Sequence, residues 1–139
     1  MFVDLGSGKG RVLLIAAQLG FKRIVGVEFS GELCEIARQN VKAFSRRTQL
    51  AVRIDIVKSD VASYLIESEQ NVFFMYNPFD EVVMAQVLAN LRSSVTQFPG
   101  RIWLIYNKPT QDEAVSKSEL FCTCEEFQIR GSRFKVYNN

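Results

Sequence analysis

Residues 2 to 20 constrain the fold more than any other stretch of the chain. Phe2-Val3-Asp4-Leu5 reads as a buried strand. Gly6-Ser7-Gly8-Lys9-Gly10 is a turn with glycine at every second position, and Val12 to Leu19 is an almost wholly apolar helix that Gly20 closes as a C-cap. A helix so poor in polar residues is expected to be buried on more than one side. A strand that runs through a glycine turn into a helix is the first half of a βαβ unit, so a parallel sheet is expected to follow.

The rest of the chain keeps that rhythm. Ile24 to Phe29 is a second strand, and Ser30 can cap a helix carrying Leu33, Ile36, Ala37, Val41 and Phe44 at a 3.6-residue period. Val52 to Val57 alternates apolar with charged residues and suits the sheet edge. Asn71 to Tyr76, with Val72-Phe73-Phe74-Met75 inside it, reads as central. Asp80 can cap a helix with Val83, Val87, Leu88 and Leu91 on one face, and Arg101 to Tyr106 is a fifth strand. Then Phe127 and Ile129, and again Phe134 and Val136, alternate with polar neighbours around Gly131-Ser132, the pattern of a hairpin with a primed turn. The expected fold is a doubly wound, mostly parallel α/β sheet that ends in an antiparallel hairpin.

Composition removes several kinds of chemistry. The 139 residues are 47% hydrophobic and 23% charged, the proportions of one globular domain, and the net charge of +2 makes no electrostatic footprint for nucleic acid. No histidine is present, so a His base, triad or metal ligand is excluded. No apolar run reaches the roughly 18 residues of a membrane span, and no basic leader opens the chain, so no membrane partner and a cytoplasmic location are expected. Cys122-Thr123-Cys124 has the form of half a metal site without a second half and reads as strand residues; no metal is expected. Lys42, Arg46, Arg47, Arg53 and Lys58 read as a solvated face.

The glycine turn sits where a nucleotide-binding loop sits, between a strand and a helix, and Glu28 follows at the end of the second strand, where a carboxylate meets ribose hydroxyls. A dinucleotide loop would place its third glycine at position 11, which is Arg. A P-loop would need a glycine five positions before Gly8 and Ser or Thr after Lys9. Asp4 beside the loop disfavours a phosphate and favours a cation. A positively charged nucleoside without phosphate therefore fits better than NAD or ATP.

Asp4-Leu5-Gly6-Ser7-Gly8-Lys9-Gly10 resembles the first motif, D-x-G-x-G-x-G, of class I S-adenosylmethionine-dependent methyltransferases. The resemblance runs from the first strand to the closing hairpin and implies a Rossmann-like seven-stranded sheet whose seventh strand is inserted antiparallel. It implies that Asp4, Gly6, Ser7, Gly8 and Gly10 lie against the methionine part of the cofactor, that Glu28 holds its ribose, and that Asp60 and Val61 meet its adenine. Asp60 alone also reads as a helix cap. Tyr76-Asn77-Pro78-Phe79 resembles the [DNS]-P-P-[FYW] motif of enzymes that methylate planar nitrogens, with one proline in place of two. The Asp4-Leu5-Gly6-Ser7-Gly8 opening with a polar Asn77 after the fourth strand is also similar to the seven-stranded protein lysine methyltransferases. Equally, Pro78 can simply stop the strand. The resemblance implies Asn77 and Phe79 as catalytic candidates, Asn77 also touching the cofactor, with S-adenosylhomocysteine as product.

The expected function is direct methyl transfer to a nucleophile, nitrogen by preference, on a protein side chain, a nucleic-acid base or a small molecule. The alternative is a non-catalytic domain of the same fold that binds the cofactor or a partner. Relatives carry an N-terminal segment that covers the cofactor; here the first strand begins at residue 2, so residues 1–139 are expected to be one domain without that cover.

Overall fold

The computed structural model describes residues 1–76 and 79–139. Seven strands form one sheet: β1 (Phe2–Leu5), β2 (Arg23–Glu28), β3 (Arg53–Lys58), β4 (Val72–Tyr76), β5 (Trp103–Asn107), β6 (Thr123–Ile129) and β7 (Ser132–Asn138). Their order is β3-β2-β1-β4-β5-β7-β6. The first five pair in parallel; β7 enters antiparallel between β5 and β6. The expected edge strand, β3, lies at the edge, and the expected central strand, β4, lies between β1 and β5.

Helices α1 (Arg11–Gln18) and α2 (Gly31–Arg47) cover one face of the sheet, while α3 (Glu81–Gln97), α4 (Asp112–Lys117) and a 3₁₀ turn at Val61–Ser63 lie on the other. Strand alternation divides the core between the two sides. Val3, Leu5, Val25, Val27, Phe73, Met75, Leu104 and Tyr106 point towards α3; Phe2, Ile24 and Phe74 point towards α1. The helix starts follow from capping: Ser30 Oγ accepts the Leu33 amide at 3.3 Å, and Asp80 Oδ1 accepts the Val83 amide at 2.9 Å. Gly20, at φ 95°, ends α1 as expected, with the Phe21 amide returning to the Ala16 carbonyl.

Two expectations change, and one element is added. The first helix is not enclosed: Leu13, Ala16 and Ala17 are buried, but Ile15 is 46% and Leu19 75% exposed. No helix of the described residues covers the β4–β5–β7 part of that face, so α1 has a single packed side. The hairpin turn is Arg130-Gly131, both left-handed at φ 48° and 79°, one residue earlier than the Gly-Ser pair. This is the primed turn whose twist matches the strands, and it tolerates Arg at its first place because glycine fills the second. The short α4 is absent from the sequence reading, since six residues hold less than two helical turns of periodicity.

Candidate functional site

The glycine loop joins β1 to α1 at the carboxyl end of the sheet, and its three glycines all have positive φ: Gly6 at 85°, Gly8 at 53° and Gly10 at 80°. Side chains at such positions would be strained, so glycine lets the backbone double back onto β2. It is fastened there closely. The Gly6 and Ser7 amides both donate to the Val27 carbonyl, at 2.9 and 3.0 Å. The Gly8 amide donates to Glu28 Oε2 at 2.9 Å. From outside, Asn40 of α2 donates its amide to the Lys9 carbonyl at 2.9 Å.

Glu28 is 5% exposed and anchors more than the loop. Its Oε1 accepts the Ser30 amide at 2.9 Å, while its carbonyl accepts the Ser59 amide at 3.0 Å. One carboxylate therefore ties the glycine loop to the start of α2, and each oxygen keeps a second lone pair for a ligand hydroxyl.

Asp4 lies one strand over, 3% exposed. Burial, and then the negative charge of Glu28, push its carboxyl up to about 7. A cation arriving at the loop would favour the ionised form and relieve that penalty. Ser7 turns towards the sheet: its Oγ is buried above Gly26 and has no hydrogen-bond partner among the described residues. Any contact from Ser7 to a ligand therefore falls to its backbone.

Beside the loop lies a groove of about 470 Å³, within the roughly 300–1,000 Å³ of small-molecule sites. Gly6, Glu28, Asp60, Val61 and Phe79 all line it, together with Phe29, Leu33, Asp80 and Val83. The fold thus brings five of the candidates to one groove, whereas Asp4, Ser7, Gly8 and Gly10 do not line it. Asp60 Oδ1 accepts the Ala62 amide at 2.9 Å, so the capping role is real, and Asn90 of α3 holds that turn through the Ala62 carbonyl at 2.9 Å. Among the described residues, three carboxylates and no lysine or arginine line the groove. That donor set offers a phosphate nothing and suits a cationic nucleoside: carboxylates for hydroxyls and an amine, Phe29, Leu33, Val61 and Phe79 for a ring.

Asn77 and Pro78 lie outside the described residues. Next to them, the exposed ring of Tyr76 has Lys108 Nζ 5.3 Å from its centroid, so the turn after β5 reaches the same end of the sheet. Among the described residues no group of three or more His, Cys, Asp or Glu side chains is arranged to hold a metal, and no helix is long and apolar enough to cross a membrane. All three cysteines are free. Sequence reasoning missed Gly26, which passes for an ordinary strand residue, and Asn40, one polar position among many on α2.

Comparisons with known proteins bear on the family and the fold. The family model described as histone methylation protein DOT1 matches residues 1–93. An H3 lysine-79-specific histone-lysine N-methyltransferase of Dictyostelium discoideum is 37% identical over 86 residues, 55% of this chain, which spans 5% of that relative's length. Among solved structures, the methyltransferase domain of a bacterial Hen1 superposes with a TM-score of 0.73 at 17% identity, over 99% of this chain and 89% of that one. An RNA methyltransferase of Salinibacter ruber, solved with S-adenosyl-L-homocysteine, gives 0.65 at 22% identity, over 99% and 77%. The fold is the Rossmann-like fold of class I methyltransferases.

Proposed function

Because this chain belongs to the histone methylation protein family DOT1, we propose that it methylates a nitrogen nucleophile at the expense of S-adenosylmethionine, and that the acceptor is the side-chain amine of a protein lysine. The observation that carries this reading is the glycine loop tied to Glu28 beside a groove that, among the described residues, is walled by carboxylates without a basic residue. When bound, S-adenosylmethionine supplies a methyl group on a positively charged sulfur, open to direct displacement by a nucleophile and leaving S-adenosylhomocysteine.

The chain's own residues then have to hold, orient and exclude water. Asp4, Gly6, Ser7, Gly8 and Gly10 form the seat for the methionine part, the glycines by letting the backbone approach closely, their amides being already held by the Val27 carbonyl, Glu28 and the Ser7 carbonyl, and Asp4 through charge. Glu28 accepts the ribose hydroxyls on the lone pairs that the Gly8 and Ser30 amides leave free. Asp60 accepts from the adenine amine, and Val61 with Phe79 covers the ring. Asn77, after the end of β4, accepts the proton-bearing edge of the attacking nitrogen, aligning its lone pair with the methyl carbon; Phe79 walls the approach. In this reading residues 1–139 are one cofactor-binding domain, and the free thiols suit a reducing compartment, the cytoplasm.

Incubating the protein with S-adenosylmethionine carrying a radiolabelled methyl group, in the presence of histone H3 and of a whole protein extract, tests the proposal. Label on lysine of an acceptor protein supports it. Tight S-adenosylhomocysteine binding with no transfer to any acceptor would replace it with the non-catalytic reading.

A further inference from the structure

Three successive residues of β2 meet the glycine loop, each in a different way. Glu28 holds the Gly8 amide at 2.9 Å. The Val27 carbonyl holds the Gly6 and Ser7 amides at 2.9 and 3.0 Å. Gly26 holds nothing; what it provides is room. A Cβ at position 26 would lie 2.7 Å from Ser7 Oγ, 2.9 Å from Ser7 Cβ and 2.7 Å from Leu13 Cδ1.

Those contacts differ in how they can be relieved. Ser7 Oγ can rotate away and Leu13, though fully buried, can change rotamer. Ser7 Cβ cannot: it is fixed by the backbone, so a side chain at 26 moves it only by lifting the loop. Lifting Ser7 stretches its own bond to Val27 and the neighbouring bonds of Gly6 and Gly8, since all three amides belong to consecutive residues. Gly26 is paired with Asp4 in the sheet, so the same displacement reaches the carboxylate below the loop.

We infer that Gly26, Val27 and Glu28 form a template that holds the glycine loop in its binding shape before any cofactor arrives, with Gly26 as the positioning residue that sets the loop's depth. The inference rests on reading this loop as the cofactor's seat. It assigns to Glu28 a second task beside ribose binding, and it makes residue 26 a determinant of cofactor affinity although it touches no cofactor. Pre-formed loops bind more tightly because their ordering cost is already met within the fold.

Two readouts separate the inference from the functional reading. Amide hydrogen exchange at Gly6, Ser7 and Gly8 reports loop fastening without any ligand. Calorimetric binding of S-adenosylhomocysteine reports the seat. Gly26→Ala is expected to speed exchange at those three amides and to weaken binding roughly tenfold to a hundredfold. Adding Ser7→Gly removes two of the three close contacts, so the double variant is expected to regain protection at these amides, judged by exchange alone. Val25→Ala, which opens space on the opposite face of the same strand, is expected to lower the unfolding temperature and leave the loop amides protected. Unchanged exchange in Gly26→Ala overturns the inference, as does a loss of amide protection that Ser7→Gly fails to restore. Wild-type protein with protected loop amides and no S-adenosylhomocysteine binding overturns the functional reading instead.

Discussion

Asp4 is the residue at which the fold and the proposed function oppose each other. In the unfolded chain it ionises near 3.8, and in the fold near 7, because burial and the charge of Glu28 both disfavour its anion. Between those two values the folded chain keeps a proton that the unfolded chain releases. This group's contribution to stability is therefore greatest at low pH, falls as pH rises from about 4 to about 7, and is flat above. Asp4→Asn removes the penalty: we expect it to raise stability at pH 8 by about 1–3 kcal/mol over wild type, with a smaller gain at pH 5, measured by urea unfolding at both. The same variant loses the negative charge offered to a cationic cofactor and is expected to bind S-adenosylmethionine more weakly. Glu28 works in the other direction. Glu28→Ala leaves the Gly8 and Ser30 amides without their acceptor, and it is expected to cost about 1–3 kcal/mol of stability in the same assay.

At the scale of elements, capping and strand alternation were legible because each rests on a few adjacent side chains. Ser30 and Asp80 cap as their types and places suggest, and the parity of β1, β2 and β4 sorts the two faces of the core. What adjacent residues do not encode is what lies across from them. The apolar run of α1 reads as buried on more than one side, yet only the side bearing Leu13, Ala16 and Ala17 is packed. Leu13→Ala is therefore expected to cost about 2–5 kcal/mol, while Leu19→Lys stays within about 0.5 kcal/mol, compared by thermal unfolding. An equal cost for both would mean that the outer side of α1 is covered after all. Gly26 and Asn40 were illegible for the same reason: each matters through the loop it meets, from β2 and from α2, and not through its own local pattern.

For the whole molecule, the order β3-β2-β1-β4-β5-β7-β6 places the ends of β1, β2 and β4 side by side and gathers the loop, Glu28 and Asp60 around one groove. Chain direction changes in the sheet only beyond β5, where β7 inserts, so the parallel half carries the groove and the antiparallel half completes the sheet. The sequence anticipated this division because the alternating runs around Gly131-Ser132 read as a closing hairpin with no helix between its two strands. The central claim is that the carboxylate-walled groove beside the glycine loop is the seat of S-adenosylmethionine. Calorimetric titration with S-adenosylhomocysteine, with NADH as control and with Glu28→Ala in parallel, tests it most directly. The account predicts saturable one-to-one binding to the wild type, none of NADH, and a strong loss in Glu28→Ala. Binding of NADH in preference to S-adenosylhomocysteine, or binding of S-adenosylhomocysteine unchanged in Glu28→Ala, would contradict it.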